Sequence, residues 1–133
     1  MSDPNNVARQ TRAAKAADAS EQALMRRIML AIGSLPDLYL WRNSPGKAEV
    51  WDPQTGAPRM LSFGVVGSAD LCGILLPHGR FLGLEVKTAT GRVEPHQEAW
   101  LARIRSFGGF ACVVRSEAQA CEAIARARQG LFE

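Results

Sequence analysis

The chain is poor in the side chains that hold soft metals or cross-link a fold. Its 133 residues include two histidines and three cysteines. Cys72, Cys112 and Cys121 are odd in number, widely spaced and without a CxxC pair, which argues against a disulfide framework and a zinc site. Buried, reduced thiols are expected instead. His78 reads as a turn residue and His96 as part of a helix's first turn. Neither belongs to an H-E-x-x-H or other ligand spacing, so both are expected at the surface. Also missing is any apolar run near the roughly 20 residues that cross a bilayer. The N-terminal stretch MSDPNNVARQTRAAKAADAS has no apolar block of the kind a secretory signal carries. A cytosolic location is the expectation. Neither sign of charge dominates: 16 Lys and Arg against 13 Asp and Glu leave a formal net charge of +3. That balance permits a phosphate-bearing partner without demanding one.

What is present suffices for one packed domain, with 47% of residues hydrophobic. Residues 1–17 are polar and alanine-rich, with no hydrophobic face of their own. They read as a flexible or loosely helical arm carrying Arg9, Arg12 and Lys15. The domain proper is expected over 18–133. Asp18 can cap a helix whose apolar set is Leu24, Met25, Ile28 and Ile32, ended by Gly33 and Pro36. Tyr39–Asn43 reads as a strand, and residues 44–59 as a turn-rich excursion with a hairpin around Asp52–Gly56. Asp70–Leu76 and Arg80–Lys87 flank the turn Pro77-His-Gly79 and should pair. Pro95 opens a helix running to about Phe107, stopped by Gly108-Gly109. Phe110–Val114 is a strand, and Ser116 can cap a last helix through Arg128. The order α-β-(hairpin)-β-β-α-β-α predicts a mixed α/β fold: a central sheet flanked by helices.

Cutting a phosphodiester requires an activated water and relief of charge at phosphorus and at the leaving oxygen. A hard divalent cation on oxygen ligands meets those needs. Asp70 opens one strand of the predicted pair, and Glu85 and Lys87 lie near the end of the other. Alternation points Glu85 and Lys87 to one face. The turn near residue 78 sets Asp70 across from them. Two carboxylates and an ammonium at one sheet edge make a site for Mg2+ or Mn2+ with a proton handler beside it, and the Val86 carbonyl can complete the ligands. A solvated charged face fits the same spacing. Against it, the runs Leu71–Leu76 and Phe81–Leu84 are nearly all apolar, and charges ending buried strands are unusual unless paired or metal-bound.

Around these residues runs an ordered series of short motifs: Gly67-Ser-Ala-Asp-Leu71, Gly73, Leu84-Glu-Val-Lys-Thr88, Gly91-Arg-Val93 and Pro95-His-Gln97. The series, from about Ser20 to Ile124, resembles the VRR-NUC (virus-type replication-repair nuclease) family of the PD-(D/E)XK superfamily. The resemblance implies a restriction-endonuclease-like core and a metal-dependent DNA nuclease. It assigns Asp70 and Glu85 to the metal, and Lys87 to the attacking water. Gln97 would border the site from the following helix, and Glu21 would reach the metal or its waters from the first. The family's glycine-proline step before the small-residue-Asp pair is Val65-Val66-Gly67 here, which alters loop stiffness and removes no ligand.

Glu21 has an alternative role as capping-box partner of Asp18, and Gln97 as the N3 cap of its helix. Each shares a face with core residues, Glu21 with Leu24 and Ile28 and Gln97 with Leu101 and Ile104, which directs them at the sheet. Arg42 and Asn43 end a strand, Lys47, Arg59 and Arg92 are read on turn-like segments, and Ser68 precedes Asp70. Arg42, Asn43, Lys47, Ser68 and Arg92 form the expected DNA-binding set, with solvated surface as the default reading of the basic ones. Trp41 and Trp100 are expected in the core; Trp51 is the candidate for base stacking. A homodimer is expected, because one small domain grips little duplex and two strands need two sites. Resemblance to stand-alone members of the family implies branched or four-way DNA, in repair or replication. The alternatives are a flap or exonuclease activity, a DNA-binding subunit of a replication or repair assembly that does not cut, and a dimerising scaffold.

Overall fold

The structure, a computed structural model, describes residues 3–133. Helix α1 spans Pro4–Ile32, with Asp3 at its N-cap accepting from the Asn5 N–H at 2.9 Å. The predicted start at Asp18 is therefore displaced, and Asp18 lies inside the helix. Asp3-Pro4 is a stronger start, because proline at the first helical position gives up no needed N–H. The alanines from Ala13 to Ala19 then carry the helix on propensity alone. Up to Ser20 the helix is exposed; beyond it Leu24, Met25, Ile28 and Ile32 are buried.

Four strands form the central sheet: β1 (Leu38–Arg42), β4 (Leu71–Leu75), β5 (Arg80–Val86) and β6 (Phe110–Val114), in the spatial order β1-β4-β5-β6. The first two pairings are antiparallel and β5–β6 is parallel, joined through α2 (Pro95–Ser106). Strands β2 (Gly46–Asp52) and β3 (Ala57–Phe63) make a separate antiparallel hairpin. Its turn closes through the Gly56 N–H on the Asp52 carbonyl and the Gln54 N–H on the Asp52 carboxylate, both at 2.9 Å. Lys47 and Arg59 consequently lie on strands rather than turns, and Arg59 pairs with Asp52 at 3.7 Å.

Helices α1 and α3 (Glu117–Arg128) cover one face of the sheet, packing on Leu71, Leu82, Leu84, Val86 and Phe110. Helix α2 covers the other face over β5 and β6, where Leu101 and Trp100 meet Ala111 and, just before β4, Ala69. Gly83 permits that closeness: a Cβ there would lie 2.7 Å from the Trp100 ring. Trp100 is thus largely inside, as expected. Trp41 is not; it sits 37% exposed on β1, its ring 5.9 Å from that of Tyr39, because α2 covers β5 and β6 rather than β1. Cys72 and Cys112 are buried and Cys121 is exposed on α3, all three with free thiols.

Candidate active site

The register of the central hairpin places the acidic pair. Leu71 faces Leu84 across β4–β5, so one step further sets Asp70 opposite Glu85. The Asp70 carboxylate accepts the Val86 N–H at 2.8 Å. A strand residue sends its N–H and C=O to the same edge, so the Val86 carbonyl is directed to the Asp70 side as well. The neighbouring Lys87 N–H turns the other way, to the Val114 carbonyl at 3.1 Å. Past the last β4 pair, Val86 has no strand partner on the Asp70 side, which leaves its carbonyl available.

Glu85 is 1% exposed, and Lys87 is buried beside it. Gln97 donates from Nε2 to Glu85 Oε1 at 2.9 Å, and Lys87 Nζ lies 3.8 Å from the same oxygen, an ion pair longer than a hydrogen bond. Glu85 Oε2 is buried with no hydrogen-bond partner, the one such side-chain atom among the described residues. Burial, then the Asp70 charge, pushes the Glu85 carboxyl up to about 8, while Lys87 opposes the shift. Glu21, part-buried on α1, is raised by burial and then by Asp70, again opposed by Lys87. The middle of α1, the segment just before β4, the end of β5 and the first turn of α2 thus bring Glu21, Asp70, Glu85, Lys87 and Gln97 together.

A sequence profile of the VRR-NUC domain matches residues 5–118 of the 133. The chain belongs to the VRR-NUC family. It is accordingly a nuclease domain of the PD-(D/E)XK type, with DNA as its substrate. No curated protein matches the chain significantly.

Nucleases of this type generally use divalent metals. Among the described residues no three His, Cys, Asp or Glu side chains converge in metal-holding geometry. The oxygens that could hold such a metal are instead the Asp70 and Glu85 carboxylates and the Val86 carbonyl, all hard donors. The partnerless Glu85 Oε2 fits that use, since a buried carboxylate oxygen lacking a donor is otherwise costly. Glu21 adds charge close by without completing a three-side-chain group.

Gln97 makes a hydrogen bond at each end of its side-chain amide. Its Oε1 accepts the Glu94 N–H at 2.9 Å, closing the first turn of α2, while its Nε2 holds Glu85. The capping alternative for Glu21 falls away, because Asp18 is mid-helix.

Arg42, Asn43, Lys47 and Ser68 line a cleft that opens beside Asp70, whereas Arg92 lies exposed outside it. Arg42 is engaged with Gln22 Oε1. Asn43 donates to Ser68 Oγ at 2.8 Å and to the Ala69 carbonyl at 2.9 Å, and its N–H reaches the Asp70 carbonyl at 2.8 Å. Asn43 and Ser68 therefore hold the segment that presents Asp70. Two contributors have no local signal in the sequence. Gln22 tethers Arg42 from α1, and Arg115 Nη1 donates to the Thr88 and Gly91 carbonyls, each at 2.7 Å, fixing the loop after Lys87. His96, expected at the surface, is exposed there and lines the cleft.

Proposed function

We propose that the domain hydrolyses DNA phosphodiester bonds with Mg2+ or Mn2+ held by Asp70, Glu85 and the Val86 carbonyl. The observation carrying this reading is the buried, partnerless Glu85 Oε2 next to Asp70, with Lys87 alongside. When bound, such an ion supplies positive charge to the phosphate and acidity to a water. Lys87 follows β5 directly, its N–H on the Val114 carbonyl, and its Nζ keeps donors free at 3.8 Å from Glu85, so it can orient the attacking water and screen phosphate charge. Gln97 fixes the orientation of Glu85, and the Val86 N–H fixes Asp70. Glu21 acts at longer range, through water. Arg42, Lys47 and Arg92 contact phosphates, and Asn43 and Ser68 support the Asp70 segment.

In this reading the enzyme is a structure-selective endonuclease acting as a homodimer on branched or four-way DNA, in the cytosol, in repair or replication. Among the described residues no helix is long and apolar enough to cross a membrane. The test is incubation with Mn2+ or Mg2+ and labelled linear, flapped and four-way DNAs. Cleavage should require the ion, favour the branched forms and fall by about 100-fold or more in Lys87→Ala. Cleavage untouched by Lys87→Ala would sink the mechanism. DNA binding without any cleavage by the unaltered protein would leave a binding subunit as the better reading.

A further inference from the structure

The cleft beside Asp70 has a volume of about 450 Å3. Helix α1 supplies Met25 to its wall, and the base of the β2–β3 hairpin supplies Pro45, Lys47 and Phe63. Asp70 and His96 complete the side nearest the metal-ligand candidates. We infer that this cleft is a subsite for one unpaired nucleotide of the strand being cut, adjacent to the scissile phosphate. The inference rests on the nuclease reading above and goes beyond it by naming the state of the DNA at the site.

Size is the first argument. Pockets of about 300–1,000 Å3 take single small molecules, which suits one nucleoside and is too small to admit a duplex. The lining is the second. Phe63 and Pro45 give apolar surface for a base, while Lys47 and His96 offer donors to a phosphate. Phe63 is 46% exposed although it stands in the neck of the hairpin, so its ring still has surface to cover. Aromatic rings in such positions bind bases without regard to sequence, because every base has a π-face.

The third argument is that the cleft is built in advance of any ligand. Gly64 has φ +74°, and a Cβ there would come within 2.8 Å of Pro45 Cα. Gly67 has φ +81°, and a Cβ there would lie 2.4 Å from the His96 carbonyl oxygen. Two glycines in the left-handed region thus close the two feet of the hairpin on each other and seat the loop before Asp70 against the first turn of α2. Continuity is the fourth: Asp70 and Gln97 belong to the cleft lining and to the site, so a nucleotide held there has its phosphate at the reacting groups. A strand can enter only where it is not stacked in a duplex, as at a flap or a frayed branch point.

The experiment has a binding arm and a cleavage arm, both with the full chain. Binding is read by fluorescence anisotropy in EDTA, using a labelled single-stranded oligonucleotide and the same sequence as a duplex. Phe63→Ala should weaken single-strand binding about tenfold and leave duplex binding unchanged, and Phe63→Trp should restore it. A thermal melt of each variant checks that the exposed position leaves the fold intact. In the Mn2+ cleavage arm, Phe63→Ala should lose its preference for flapped over fully paired DNA. The subsite is overturned if Phe63→Ala matches the unaltered protein on both DNAs. In that case Mn2+-dependent cleavage lost in Lys87→Ala still upholds the nuclease reading. Conversely, if the unaltered protein cuts no DNA, the nuclease reading fails, and the binding arm still decides the subsite.

Discussion

At position 85 the chain places a carboxyl group where water does not reach and a second carboxylate stands opposite. The consequence is a pH dependence with a definite sign. Burial and Asp70 raise the group from 4.5 to about 8 on folding. A carboxyl raised in this way contributes stability that is fully present below its unfolded value and lost as pH rises through its folded value. The metal-free protein should therefore lose stability between pH 4.5 and 8 on account of this residue. Glu85→Gln removes the charge and keeps an oxygen for Gln97. Its thermal midpoint in EDTA should exceed that of the unaltered protein by about 5 °C or more at pH 8, and by much less at pH 5. Equal midpoints at both pH values would show that the carboxyl is not strained. Lys87 carries the complementary prediction. Lys87→Ala should lower the cleavage rate by about 100-fold or more while DNA affinity changes little, read by single-turnover kinetics beside anisotropy.

Among the elements, α2 does two things through one side chain. Gln97→Ala removes both the acceptor of the Glu94 N–H and the donor to Glu85. Urea unfolding should show a loss of about 1 kcal/mol, with a fall in cleavage rate larger than any change in DNA affinity. Helix α1 divides differently. Residues 4–19 are helical and exposed, so they add helix without adding core. Deleting residues 1–16 should reduce the helical circular dichroism signal and leave the thermal midpoint within about 1 °C, as surface changes away from packed features do.

The elements also mark what could be read in advance. The strands around Asp70 and Lys87 were legible because apolar runs broken by Pro77-His-Gly79 specify a hairpin, and the hairpin aligns the acids. Pro95, Gly108 and Ser116 likewise announced their helix ends. The first half of α1 was not legible as a firm helix, because without a hydrophobic face only propensity signals it. Trp41 was misread because local pattern cannot tell which strand lies at a sheet edge beyond the reach of α2. The cleft was invisible for the same reason: residues from α1, the hairpin and the Asp70 loop meet only in the folded chain.

For the whole molecule, the site lies at one end of a four-stranded sheet, and each chain supplies one such site. The proposed homodimer should sediment at twice the 14.4 kDa chain mass. A single species of chain mass at all concentrations would remove the dimer and leave the chemistry of one site untouched. The central claim is that Asp70 and Glu85 form a cation site. It is tested most directly by calorimetric titration of Mn2+ into the unaltered protein and into Asp70→Asn. Saturable binding that weakens at least tenfold in Asp70→Asn is the predicted result. Binding that Asp70→Asn leaves unchanged, or no binding heat over a range of temperatures in the unaltered protein, would contradict it.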